Sequence, residues 1–324
     1  MFETLRRVYF SLITRKKELI QRISFYTLKA PSKEYDSFII TPFNELSGQQ
    51  GLADRLRHIL SVFIYCRKNQ LNFKIIHNNP FRLSDYLEPN EYDWKMKEFE
   101  MSHSIWNTRV AYTWSYFKGN SSSEEKESLK QEAVLIKNSL KKAKQLHVYG
   151  NAHIYKAEWR NAFDVLFKPS QALARQIENL DLPRKFDAVT FRFQQLLGDF
   201  QEGNFKKLGK EEADELVEKC ISELTDQFAK GMFSSEKILV TSDSVKFLKK
   251  VSTLPFVFVI SGKILHPAFA ANNSGEDFSK SFIDLLTLRA ATSVTLFLTG
   301  EMYQSGFPEF ASIIGSGRFE IHRF

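Results

Sequence analysis

The chain has 324 residues, 43% hydrophobic and 26% charged, with a formal net charge of +7 and a pI near 9.1. This excludes a disordered tail or fibrous repeat and leaves a globular chain with room for two domains of roughly 150 residues. The basic balance favours an anionic partner, without choosing among nucleic acid, nucleotide phosphate and membrane surface.

Only Cys66 and Cys220 are present. Far apart, with no CxxC or histidine spacing, they argue against a zinc site or a disulfide framework and for a reducing interior. No apolar run approaches the roughly 20 residues that span a bilayer, and no cleaved signal pattern is visible.

Residues 1–30 form a basic amphipathic segment, in which Arg6, Arg7, Arg15, Lys16, Lys17, Arg22 and Lys29 alternate with Phe2, Leu5, Val8, Leu12, Ile13, Leu19, Ile20 and Ile23. Such a helix can lie on an anionic membrane or pack on the domain with its basic face in water. A first α/β domain is expected over residues 31–165. Its opening strand, Ser37–Phe43, leads into the glycine loop Ser47-Gly48-Gln49-Gln50-Gly51 and a helix over Leu52–Asn69 carrying Asp54, Arg55 and Arg57. Gly48 and Gly51 let backbone approach a ligand closely, the helix start offers free N–H groups, and the arginines add planar donors for phosphate or sugar oxygens. The loop is not a Walker A motif, because no Gly-Lys-Ser/Thr follows. Next come a strand over Asn72–His77, a loop-rich tract to Trp94, an exposed loop over Lys118–Glu127, a lysine-rich helix over Leu129–Lys144 and a strand over Gln145–Tyr149.

The chain crosses to a second domain, residues 166–324, around Ala152–Ser170. Strands are expected at Asp187–Phe193, Lys237–Thr241, Phe256–Ile260, Ser293–Leu298 and Phe319–His322. Helices are expected at Gln171–Leu180, Glu211–Lys230, Val245–Val251, Lys280–Ala291 and Phe307–Gly315. Alternation of this kind implies parallel sheets.

Ligands of open parallel sheets bind beyond the carboxyl ends of the strands. Those ends carry Arg192, Gly198 and Asp199; Ser242, Asp243 and Ser244; Ser261-Gly262 followed by a polar loop over Asn272–Asp277; and Thr299-Gly300 followed by Ser305-Gly306-Phe307-Pro308. Such residues can cradle a phosphate and hold a ribose or base edge, although turn residues also collect at strand ends. Arg192 lies in an apolar strand, where a charge is costly unless paired, so it is either a structural ion pair or a clamp for a diphosphate.

The ordered set resembles the GDP-fucose-dependent fucosyltransferases of the GT-B type. Gly48-Gln49-Gln50-Gly51-Leu52-Ala53-Asp54-Arg55 matches their early glycine loop and helix. Thr190-Phe191-Arg192 with Gly198-Asp199 echoes their His-x-Arg strand and Gly-Asp, and Ser242-Asp243 with Ser305-Gly306-Phe307 echoes their later motifs. Thr190 stands where the family has histidine, so the sugar is fucose or a relative of it. The resemblance implies two Rossmann-like domains with parallel sheets facing a cleft. Arg192 would hold the diphosphate and Asp243 or Asp284 the guanine or ribose. Ser242, Ser305 and Phe307 would line the pocket, and the Gly48–Gly51 loop with Arg55 would close over it. Asp54 and Asp199 are the candidate bases of an inverting displacement. No Asp-x-Asp pair occurs, so the expectation is an arginine in place of a divalent ion and no cofactor.

The leading expectation is a cytoplasmic glycosyltransferase, held in one reading at the inner membrane by its N-terminal segment, moving a sugar from a GDP-sugar to a glycan or lipid-linked saccharide of surface polysaccharide. A non-catalytic glycan- or nucleotide-binding protein on the same scaffold is the alternative. A nucleic-acid binder is disfavoured, because the basic residues are scattered and no motif for it is present.

Overall fold

In the computed structural model, residues 25–43, 50–114, 143–200, 205–262, 264–267 and 277–324 are described. The basic segment up to residue 24, Gly48 with the rest of 44–49, the 118–127 loop, residues 129–142 of the lysine-rich helix and residues 272–276 lie outside the described residues.

In chain order the elements are β1 (Phe38–Phe43), α1 (Leu52–Lys68), β2 (Phe73–His77), β3 (Leu87–Pro89), β4 (Thr108–Trp114), β5 (Gln145–Asn151), α2 (Trp159–Leu166), β6 (Phe167–Pro169), α3 (Gln171–Glu178), β7 (Asp187–Phe191), α4 (Lys210–Ala229), β8 (Ile238–Ser242), α5 (Val245–Val251), β9 (Val257–Phe258), α6 (Ser279–Ala290), β10 (Ser293–Leu298), α7 (Phe307–Ile314) and β11 (Arg318–Arg323). Among the described residues, those within Met1–Gly48, His58–Asn79 and Tyr92–Tyr155 form one compact unit. Those within Gln49–Arg57, Pro80–Glu91 and Lys156–Phe324 form the other, so the first turn of α1 counts with the second unit.

The first unit is built on a four-stranded sheet of order β2-β1-β5-β4, parallel throughout. Its strands FIITPF and QLHVYGN are almost wholly buried, as parallel strands covered on both sides must be. Buried histidines lie inside, among them His58 and His147. His58 of α1 places Nε2 3.0 Å from the Val148 carbonyl, while its Nδ1 accepts from the Ala152 N–H at 3.2 Å. Those two bonds require a neutral ring with the proton on Nε2. His147 of β5 lies 2.6 Å from the Tyr26 hydroxyl, which is also 3.0 Å from that of Tyr149. Burial holds the pKa of His58 down to about 4 and that of His147 to about 3.

The second unit carries a five-stranded parallel sheet of order β11-β10-β7-β8-β9. Counted within the unit this is 5-4-1-2-3, the Rossmann order read from the other edge, and the strand order reverses between β7 and β10. Phenylalanine fills the core: Phe191 meets Phe247 at 4.7 Å and Phe297 at 5.3 Å between ring centres. Helix starts are closed by local caps. Ser170 accepts from the Leu173 N–H at 3.3 Å, Ser244 accepts from the Phe247 N–H at 3.1 Å, and the Glu212 carboxylate accepts from the Gly209 N–H at 3.0 Å. A small antiparallel ladder pairs β3 with β6.

Candidate functional site

Beyond the carboxyl ends of β7 and β8 the second unit holds a cavity of about 250 Å³. Its walls are Thr190, Phe191 and Arg192 from β7 and its exit, and Thr241, Ser242 and Asp243 from β8. Gly51, Leu52, Ala53, Asp54 and Arg57 come from the start of α1, Ser305, Gly306 and Phe307 from the start of α7, and Ser281 and Asp284 from α6. The segment 264–267 adds His266, with Phe200 and Tyr303 completing the lining. Two helix starts therefore open on the point where the strand order reverses. Their positive dipole ends favour an anion there.

Arg192 is the fixed charge of the cavity. Its guanidinium pairs with Asp243 (Nη1 to Oδ2, 3.0 Å) and stacks 4.8 Å from the centre of the Phe200 ring. The Asp243 carboxylate is buried and also accepts the backbone N–H groups of Phe193 at 2.9 Å and Gln194 at 2.6 Å. Burial pushes its pKa up, while Arg192 and those N–H groups pull it back. Asp243 thus sits in the lining with its oxygens already engaged in holding Arg192 and the turn after β7.

Arg57 is the second cation. Its side chain is 11% exposed, pairs with Asp54 at 3.2 Å and donates to the Gly306 carbonyl. Burial lowers its pKa, and Asp54 opposes the shift. A Cβ on Gly306 would stand 2.7 Å from Arg57 Nη2, so glycine is what lets the guanidinium lie against this backbone. Gly306→Ala should displace Arg57 and cost about 1–3 kcal/mol in denaturant unfolding, the worth of a charged hydrogen bond. In an Arg57→Ala background the same substitution should cost nothing further.

The other expected residues divide. Gly51, Ser242, Ser305, Phe307 and Asp284 line the cavity. Asp284 is bound through both oxygens to Lys280 one turn earlier in α6, and burial raises its pKa against the pull of that lysine. Arg55 is buried behind the lining, where its Nε donates to the Gln50 carbonyl at 3.1 Å and burial lowers its pKa to about 10. Asp199 is outside the lining. It accepts from the Ser244 hydroxyl at 2.9 Å and the Lys246 N–H at 2.8 Å, fastening the start of α5. Thr190 shares a hydroxyl hydrogen bond with Thr241 at 2.9 Å.

The sequence reading missed His266. It has no neighbouring motif, lying between Leu265 and Pro267 in an irregular stretch, and only the fold brings it to the start of α1. A Cβ on Gly51 would lie 3.4 Å from His266 Nε2 and 3.9 Å from Asp54 Oδ2. Burial, the charge of Arg192 and, more weakly, that of Arg55 hold its pKa down to about 4, with Asp54 acting in the opposite sense.

No protein-family profile and no curated protein matches the sequence. Solved structures do match. NodZ α-1,6-fucosyltransferase soaked with GDP-fucose is 14% identical with a TM-score of 0.52, over 86% of this chain and 93% of that one. Fucosyltransferase NodZ from Bradyrhizobium is also 14% identical, with a TM-score of 0.51 over 87% and 94%. FUT1 of Arabidopsis thaliana in complex with GDP is 13% identical, with a TM-score of 0.54 over 95% of this chain and 73% of that one. The likeness is one of fold: the chain is an α/β protein with two Rossmann-like units built on parallel sheets, the GT-B fold of these fucosyltransferases.

Proposed function

We propose that the protein is an inverting glycosyltransferase that moves fucose or a related sugar from a GDP-sugar to a glycan acceptor. The observation that carries this reading is Arg192, locked by Asp243 at the strand-order reversal and flanked by the starts of α1 and α7. A diphosphate there meets a planar bidentate donor, a second guanidinium from Arg57 and the positive dipole ends of two helices. As the sugar leaves, negative charge grows on the β-phosphate, and pre-positioned cations stabilise it without reorganising. We therefore assign the role of a divalent ion to the arginines. Asp284 and Ser242, both in the lining, would meet the base or ribose, and Asp243 would act through Arg192. Acceptors would be glycans or lipid-linked saccharides of surface polysaccharide, handled in the cytoplasm or at the inner membrane. Among the described residues no helix is long and apolar enough to cross a membrane.

The test is incubation of the protein with GDP-fucose or GDP-mannose and a panel of bacterial glycans in the presence of EDTA, with GDP release and mass increase of the glycan as readouts. Transfer at the same rate with and without chelator is expected. Transfer that chelation abolishes would overturn the arginine assignment. Thr190 motivates a second reading, a binder on the same scaffold. Tight GDP binding with no release of GDP from either donor would favour it.

A further inference from the structure

The proposed transfer needs a group that takes the acceptor's proton, and the cavity narrows the choice. Asp243 is spent on Arg192 and two backbone N–H groups and Asp284 on Lys280, while Asp199, outside the lining, holds the start of α5 through Oδ2. Asp54 holds Arg57 with Oδ1, while its Oδ2 and the His266 Nε2 converge on the same point beside Gly51. A carboxylate beside an imidazole is the arrangement in which the imidazole moves the proton and the carboxylate steadies the resulting imidazolium.

We propose that His266 is the general base of the transfer and that Asp54, anchored by Arg57, is its positioning residue. This rests on the GDP-sugar reading above. In the step, the acceptor oxygen forms a bond to the anomeric carbon and its proton passes to an imidazole nitrogen of His266. The bond from that carbon to the β-phosphate oxygen breaks, and its electron pair leaves with GDP.

The charges facing the ring make the base dependent on the donor. Arg192 and Arg55 act to keep it neutral and Asp54 acts to protonate it. A bound diphosphate places negative charge on Arg192 and offsets the cation that most depresses the ring. Its basicity then rises toward neutral pH only when the donor is in place, where a general base is most effective. Without donor the ring stays a weak base.

Donor binding should therefore draw in a proton. Calorimetric titration of the full-length protein with GDP at pH 5.5, in two buffers of different ionisation enthalpy, reports that uptake directly. The wild type should take up a substantial fraction of one proton per GDP more than His266→Gln, a difference in which the proton that the terminal phosphate of GDP itself releases cancels. His266→Gln should bind GDP within about threefold of wild type. The same variant should release GDP from GDP-fucose, with water as acceptor, on the order of 100-fold more slowly and lack the acid limb of the wild-type pH profile. Equal net proton exchange on GDP binding in the wild type and His266→Gln, or an acid limb that survives in His266→Gln, would overturn the assignment of His266 alone. A wild-type protein that binds no GDP would overturn the donor reading, and the base assignment with it.

Discussion

Arg192→Ala should weaken GDP binding at least about 100-fold, since two charged hydrogen bonds at roughly 1.5–3 kcal/mol each are lost. It should also destabilise the second unit, because it leaves the Asp243 carboxylate buried beside an empty space. Breaking a buried pair from one side costs about 3–5 kcal/mol, most of it from the charge left behind. The two effects are separable. Arg192→Ala combined with Asp243→Asn removes that charge and keeps a side chain able to accept from the N–H groups of Phe193 and Gln194. The double variant should regain most of the stability and none of the affinity. Calorimetry with GDP and urea unfolding of both variants decide this. An Arg192→Ala protein with wild-type affinity would show that the guanidinium is a structural ion pair only. Loss of affinity that returns with stability in the double variant would show the same thing by another route.

Acidification from pH 7 to pH 5 should loosen the first unit sharply. The folded pKa values of His58 and His147, about 4 and about 3, lie below the ~6.5 of an unfolded histidine. The unfolded chain therefore binds more protons, and the stability these rings contribute, fully present above pH 6.5, is lost as pH falls below it. At pH 5 the loss is roughly 2 kcal/mol per ring, or about 4 kcal/mol for the pair. That is a large share of the ~5–15 kcal/mol of a typical domain. Burial explains the size, since neither ring meets water that could solvate its charge, and protonating His58 at Nδ1 also ejects the Ala152 N–H it accepts. Hydrogen-exchange protection factors along β5, measured at pH 7, 6 and 5, should fall with this profile. His58→Gln should reduce the slope by about half, whatever its effect at pH 7. Protection factors that stay level down to pH 5 would show that these rings are solvated and titrate normally.

The sequence carried the sheet cores well, for a physical reason. Parallel strands buried on both faces read as short apolar runs, so β1, β2, β5, β7, β8 and β10 were visible as AVTF- or FII-like segments between turn residues. Three features were not visible. Strand β4, TRVAYTW, mixes Thr108, Arg109 and Thr113 with Val110, Ala111, Tyr112 and Trp114 and was passed over. Helix α2 was taken for a crossing segment, although Trp159, Ala162, Phe163 and Leu166 are buried at helical spacing and eight residues suffice for two turns. The β3–β6 pair joins residues about eighty positions apart, and three-residue strands leave no local signal.

The site was half legible. Arg192 stood out because a charge in an apolar strand needs a partner, and Asp54, Gly51 and Ser305–Phe307 because glycine and helix starts mark close backbone approach. What a carboxylate is bonded to is a tertiary fact. The sequence could not say that Asp243 turns inward to Arg192, that Asp199 faces α5, or that Lys280 takes both oxygens of Asp284. His266 was beyond reach because nothing in its local sequence distinguishes it, and the residues at the start of α1 that it meets, Gly51 and Asp54, are far from it in sequence.

The central claim is that this cavity holds the diphosphate of a guanine nucleotide without help from a metal. Isothermal titration of the wild-type protein in EDTA with GDP, UDP, CDP, ADP and TDP tests it most directly. The account predicts binding of GDP at least tenfold tighter than the other four, with the affinity unchanged by added magnesium or manganese. Equal affinity for all five, no binding at all, or GDP binding that appears only with added metal would contradict it.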